Sequence, residues 1–229
     1  MSPSKKHQNA NELLDKYESS KGMKIMHELR SLQNSHYIVI KNYEEFIRII
    51  NEVEKDIMIM AQNNYKKFIL AMREISRRLH NYLASIHSLI EHTGNFRTFI
   101  KNPQLDMKYN KELEQLRKNK CVSFVKKFRN YIQHFTLPIM ETHLQFRRKD
   151  TKSDYEKKFT IFLDQDKLLK WKNWNRSDKD FMNEFGKEIP LKKLFEDYQN
   201  INNNFYKWFY NEVIELHSAE IDEYKKLGK

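Results

Sequence analysis

The chain reads as a mainly α-helical protein, an up-and-down bundle with a small β-hairpin inserted before its last long helix. Three observations give that reading. Glycine and proline number only four each in 229 residues, too few for a turn-rich β-sandwich or a glycine-rich nucleotide fold. Long apolar seams recur at alternating spacings of three and four, as in helices that bury one face. One stretch after Pro138 switches to strict alternation, the period of a half-buried strand.

The elements follow in order. Residues 1–22 are polar and unpatterned, a flexible or weakly helical N-terminal segment. Residues 23–229 form a single domain. "MKIMHELRSLQN" (23–34) predicts a short helix, and "HYIVI" (36–40) a strand or an extended lead-in. Tyr43, Phe46, Ile50, Val53, Ile57 and Met60 then form one seam, and Phe68, Met72, Ile75, Leu79, Tyr82, Ile86 and Leu89 a second. The polar "AQNNYKK" (61–67) between them reads as a tight turn. It lacks both Gly and Pro, so one very long helix is the alternative. The second helix is expected to end near Thr93–Gly94, with Gly94 as its cap.

"KNPQLDMKYN" (101–110) reads as a connection, followed by a third helix over about Lys111–Phe135. Its later seam is Val122, Val125, Phe128, Ile132 and Phe135. "METHLQFRR" and "KKFTIFLD" alternate about the polar "KDTKSDYE", which predicts the hairpin at about 139–165. A short helix capped by Asp164 or Asp166 follows. Leu194, Tyr198, Ile201, Phe205, Trp208 and Phe209 mark the last long helix, about 190–226.

Composition bounds the function. Lys and Arg total 42 against 31 Asp and Glu, a formal charge of +11. That field favours a polyanionic partner, nucleic acid or an anionic membrane surface. Cys121 is the single cysteine, so neither a disulfide framework nor a cysteine-based zinc site can form within one chain. No apolar run approaches the roughly 20 residues of a membrane span, and the N-terminus has no apolar signal core. A cytoplasmic protein with no membrane partner is the expectation.

The chemistry concentrates in "FVKKFRNYIQHFTLP" (124–138). An Arg followed by a His after four to six intervening residues occurs three times: Arg30/His36, Arg73/His80 and Arg129/His134. Such a spacing alone is an ordinary accident. The third pair differs because Asn130 follows Arg129 directly on a strongly apolar helix. Asn130 and His134 are four apart and share a face, whereas Arg129 and His134 lie about 140° apart on an ideal helix. The Pro138 ring would clash with the carbonyl of His134, so the helix is expected to end or kink over 134–137. His134 then sits in the last turn, where the free carbonyls favour its cation. A histidine poised to move protons, an arginine to hold phosphate charge and an amide to orient make a plausible phosphodiester site.

"RNYIQH" resembles the Arg-Asn-x-x-x-His signature of the HEPN superfamily of helical ribonucleases. "FVKKFRNYIQHFTLP", "RLHNYLASIHSLIEHT" and "FTIFLDQDKLL" are similar to bacterial members in which the signature helix is followed by a proline and strands. The resemblance covers about residues 40–215, and its specific part is the six-residue signature. It implies a helical bundle that dimerises, bringing two copies of the motif into one cleft. It also implies metal-free RNA cleavage, with the ribose 2′-OH as nucleophile and a cyclic phosphate product. Arg129 would hold the phosphate, His134 act as acid and base, and Asn130 support them. A toxin or phage-defence effector, with an antitoxin or regulatory partner, would suit the family. The chain departs from it at Thr136, where toxins paired with a nucleotidyltransferase antitoxin often carry tyrosine. Control by modification at that position is not implied.

Other polar clusters have plainer readings. His80, His87, Glu91 and His92 decorate the second helix. His87 and Glu91 could share a metal, but the sequence shows no HExxH and no third ligand, so neither metal nor cofactor is expected. His92 could line the cleft of His134 in a supporting role. Lys126, Lys127, Arg147 and Arg148 are candidate RNA-phosphate contacts. The aromatic run at 205–210 fits a core seam better than a base-stacking platform. The alternative to a ribonuclease is a non-catalytic HEPN-like module that binds RNA or a nucleotide, or docks onto a partner. In a purely structural helical protein, Arg129 and His134 would be buried with internal partners.

Overall fold

The computed structural model describes residues 12, 14–56, 64–138, 140–148 and 155–227, with the backbone alone for 146–148 and 155–158. It is mainly helical with one small antiparallel sheet.

Helix α1 runs Lys21–Lys55, started by Ser20, whose hydroxyl accepts from the Met23 backbone N–H at 3.2 Å. It is one helix through "HYIVI", where a strand or extended lead-in was expected. The reason is tertiary. Leu32, Val39 and Phe46 are spaced by seven, and all three are buried. That seam outweighs the small helix penalty of a β-branched run, which amounts to a few tenths of a kcal/mol per residue.

Helix α2, Tyr65–Ile100, lies antiparallel to α1. Ser35 meets His92 and Glu45 meets Arg78, so the residue sums stay nearly constant along the pair. Of the expected turn at 61–67, residues 61–63 lie outside the described residues, and Tyr65–Lys67 already belong to α2. The end expected at Gly94 is corrected. The helix runs on to Lys101, whose left-handed backbone (φ 49°) closes it. Phe96, two residues further along, is buried, and Arg97 binds Asp106 at 2.7 Å. These contacts offset the roughly 1 kcal/mol that an interior glycine costs.

The connection expected at 101–110 is instead helix α3, Pro103–Lys118. Pro103 takes the first helical position, where its missing N–H is harmless. Asn102 Oδ1 accepts from the Gln104 and Leu105 N–H groups at 3.0 and 3.1 Å. The expected third helix is therefore two. Extended Asn119 ends α3 and caps α4, Lys120–His134.

The hairpin forms as expected. Strand β1 (Met140–Arg148) pairs antiparallel with β2 (Tyr155–Asp164), in register Met140 to Leu163 and Leu144 to Phe159. Phe159, Ile161 and Leu163 are buried. Asp164 caps the short helix α5 (Gln165–Leu168), accepting from the Lys167 N–H at 2.9 Å. Helix α6 (Arg176–Phe185) and the three-residue strand β3 (Glu188–Pro190) were not read from sequence. β3 pairs with the end of β2, Ile189 opposite Leu163. The last expected helix divides at His217 into α7 (Leu191–Leu216) and α8 (Ser218–Leu227).

The core holds the bundle and the sheet as one unit. Phe46, Tyr82 and Phe195 meet ring to ring from α1, α2 and α7. Phe124 of α4 stacks on Trp174 at 5.3 Å, between centroids, and touches Phe181 of α6.

Candidate functional site

Helix α4 carries the arginine and the histidine. Its start is fixed by Asn119, whose side chain accepts from the Val122 N–H. Its end comes at His134, as the Pro138 argument requires. The N–H groups of Phe135 and Thr136 both donate to the Tyr131 carbonyl, at 2.9 and 3.1 Å. The backbone stays helical through the motif, so side chains five apart diverge.

Arg129 is half-buried and turns into the bundle. It lines a cavity of about 370 Å³ between α2, α3, α4 and α7. Its Nε is buried with no hydrogen-bond partner. Lys126, one turn earlier and exposed, stands at the edge of the same cavity. His134 is exposed and does not line it. Asn130 is half-buried and lines it no more than His134 does. Lys127 falls on the His134 side of the helix, with Nζ 6.0 Å from the centre of the Trp171 ring. One chain therefore groups Arg129 with Lys126, and His134 with Lys127.

The other candidates are dispersed. His92 faces α1, sharing a 2.6 Å hydrogen bond with Ser35, and is absent from the Arg129 cavity. Arg147 and Arg148 sit at the end of β1, opposite Glu156 and Tyr155; their side chains lie outside the described residues.

The cavity contains a residue that sequence reasoning missed. Asn202 projects from α7, and its Nδ2 is also buried without a partner. The available signal was an amide inside the aromatic seam that runs from Tyr198 to Phe209. His87 and Glu91 enter from α2, one turn apart on one face. Among the described residues, no group of three or more His, Cys, Asp or Glu is placed to hold a metal ion. The tyrosines of the wall are not bases. Burial pushes the Tyr206 and Tyr198 hydroxyls well up, and Tyr206 is hydrogen-bonded to Thr93 at 3.0 Å. Burial likewise pushes the nearby Cys121 thiol up to about 12, so it is no nucleophile near neutral pH.

A second, more open groove of about 640 Å³ runs along α2 beside Leu137 and Pro138. It brings together Arg73 and His80, a pair whose spacing reads as accident in the sequence. They lie seven apart, on one face of α2. Arg77 shares that face, but Glu74 holds it and Arg78 with hydrogen bonds of 2.6–2.8 Å. Those two guanidinium groups keep the Glu74 carboxyl down at about 2.

Comparison with protein-family models, curated proteins and solved structures finds no match to this chain. Among the described residues no helix is long and apolar enough to cross a membrane.

Proposed function

We propose that this chain acts on RNA as a metal-independent endoribonuclease of the HEPN type, assembled from two copies. The observation that supports the reading is the state of Arg129. Its Nε is buried without a partner, five residues from a histidine left exposed in the last turn of the same helix. Buried polar groups that serve a fold are normally satisfied inside it, and this one is not.

On this reading Arg129 holds the scissile phosphate and neutralises the charge that develops on it. His134 moves protons, taking one from the ribose 2′-OH or giving one to the leaving 5′-oxygen. The new O–P bond closes a cyclic phosphate as the old one breaks. Asn130 orients the histidine. Lys126 and Lys127 add phosphate contacts that weaken with salt. Because Arg129 and His134 diverge on one helix, each site takes the arginine of one copy and the histidine of the other, which a twofold dimer supplies.

A second reading has its own observation in favour. The cavity that Arg129 enters excludes His134, as in a module that binds RNA or a nucleotide without cutting it. One experiment separates the two. Native protein, Arg129→Ala and His134→Ala are incubated with mixed RNA in EDTA, and the product ends are analysed. Cleavage by native protein with cyclic phosphate ends, reduced at least about 100-fold in both variants, supports the ribonuclease. RNA retained intact, with binding that Arg129→Ala weakens, favours the module. Equal cutting by all three removes Arg129 and His134 from the reaction.

A further inference from the structure

The cavity beside Arg129 has features that strand cleavage does not use. Its walls are apolar, with Ile86, Val125, Ile201 and Phe205 drawn from three helices. Its volume, about 370 Å³, falls in the range of small-molecule sites. Two donors, Arg129 Nε and Asn202 Nδ2, are buried on its lining with nothing to donate to. Leaving such donors unmet in a folded protein is costly, and more so for a charged group. Around them stand the cations of Lys126 and Arg117, against the single carboxylate of Glu91. The missing partner is therefore an acceptor, and a negatively charged one. The rings of Tyr109, Phe205 and Tyr206 on the lining favour a flat body behind that charge.

We infer that this cavity binds a small organic anion, a flat one- or two-ring molecule whose carboxylate or phosphate accepts from Arg129 and Asn202. The site shares Arg129 with the proposed ribonuclease but is read by ligand binding alone, without RNA. An aromatic carboxylate and a mononucleotide share this chemistry, and the test separates them.

The probe is 8-anilinonaphthalene-1-sulfonate, a flat two-ring naphthalene that carries an anilino arm and one anionic group. N-phenyl-1-naphthylamine, the same body without the charge, is the control. Native protein is expected to bind the sulfonate saturably at one site per chain. Arg129→Leu and Asn202→Leu remove the donors, with fewer side-chain heavy atoms at 129 and the same number at 202. Each is expected to weaken the sulfonate about tenfold or more and to leave the neutral amine unchanged. Both variants should melt cooperatively, at or above the native temperature, since each deletes an unmet buried donor. Ile201→Trp fills the cavity and should abolish binding of both probes; if it does not fold, the two leucine variants decide. Displacement of the sulfonate by adenosine 5′-monophosphate assigns a mononucleotide, and displacement by indole-3-acetate an aromatic carboxylate. Sulfonate binding unchanged in both leucine variants, or displacement by neither competitor, overturns the site. No arm reads RNA cleavage, so a chain that binds the probe without cutting RNA fails only the ribonuclease reading.

Discussion

Arg129 and His134 share helix α4 but not a surface. Arg129 turns its unpartnered Nε into the cavity against α7, while His134 stands exposed at the helix end. Five residues of regular helix separate them by about 140°, and the Tyr131 carbonyl bonds show that the helix does not unwind before His134. A ribonuclease built from this pair must therefore draw them from two chains.

That requirement gives a complementation test. Arg129→Ala and His134→Ala chains are each expected to be inactive alone. Co-expressed, half of the dimers are mixed, and each mixed dimer regains one of its two sites. Activity should return to about a quarter of native per chain. Measured cleavage by co-purified, differently tagged chains checks it. No recovery in proven mixed dimers would mean that one chain supplies both groups, or that the pair is not catalytic.

Periodicity made the long helices legible, because each seam records one buried face. Phe46, Ile50 and Val53, and Ile75, Leu79 and Tyr82, are all in the core. What the sequence concealed were the junctions. Gly94 looks like a cap yet lies within α2, since Phe96 continues the seam. Asn119 looks like any polar residue yet divides two helices, because its side chain reaches the Val122 N–H. β3 is only three residues long, too short for alternation to register. The candidate site was legible as a list of residue types. Which of them share a cavity was not, since Arg129 and Asn202, 73 residues apart in the chain, come to line one cavity through the packing of α4 on α7.

Acid should loosen the bundle through His36. Its ring lies on α1, 4.9 Å from Tyr206 and 5.7 Å from Tyr210 between centroids. Burial lowers its pKa below the usual 6.5, and the hydrogen bond to Asn203 only partly opposes that. A histidine depressed in the folded state stabilises the fold above its unfolded pKa. That stability is lost as pH falls from about 6.5 towards the folded value. The melting temperature is expected to drop between pH 7.5 and 5.5, and His36→Gln should flatten the drop. Equal slopes in native protein and variant would assign the acid sensitivity elsewhere.

Gly22 lets α1 pack directly against the backbone of α8. A Cβ built there would run into the Glu220 carbonyl oxygen, which is backbone and cannot rotate away. Gly22→Ala should raise helix propensity locally and still destabilise the protein, by about 1–3 kcal/mol. Urea unfolding measures the balance. Gly94→Ala is the matched control, because nothing lies within 4 Å of its built Cβ; it should stabilise by about 0.5–1 kcal/mol. A Gly22→Ala protein as stable as native would mean that α8 docks loosely.

His36 also ends a side-chain hydrogen-bond chain, one in which two donors converge on Asn203. Tyr82 Oη donates to Gln199 Oε1 at 2.6 Å, and Gln199 Nε2 donates to Asn203 Oδ1 at 2.8 Å. His36 Nε2 approaches the same Asn203 oxygen at 3.3 Å, so it too must be the donor. Tyr82 and Gln199 are both buried, so neither can turn to water if the other is lost. Tyr82→Phe leaves the Gln199 oxygen without a donor, and should cost about 1–3 kcal/mol. Gln199→Met strands the Tyr82 hydroxyl and releases Asn203, with a similar loss. The double variant removes donor and acceptor together, so its loss should fall short of the sum of the singles by about 0.5 kcal/mol or more. Strict additivity in urea unfolding would show that the two groups are satisfied separately, and the chain would then transmit nothing between α2 and His36.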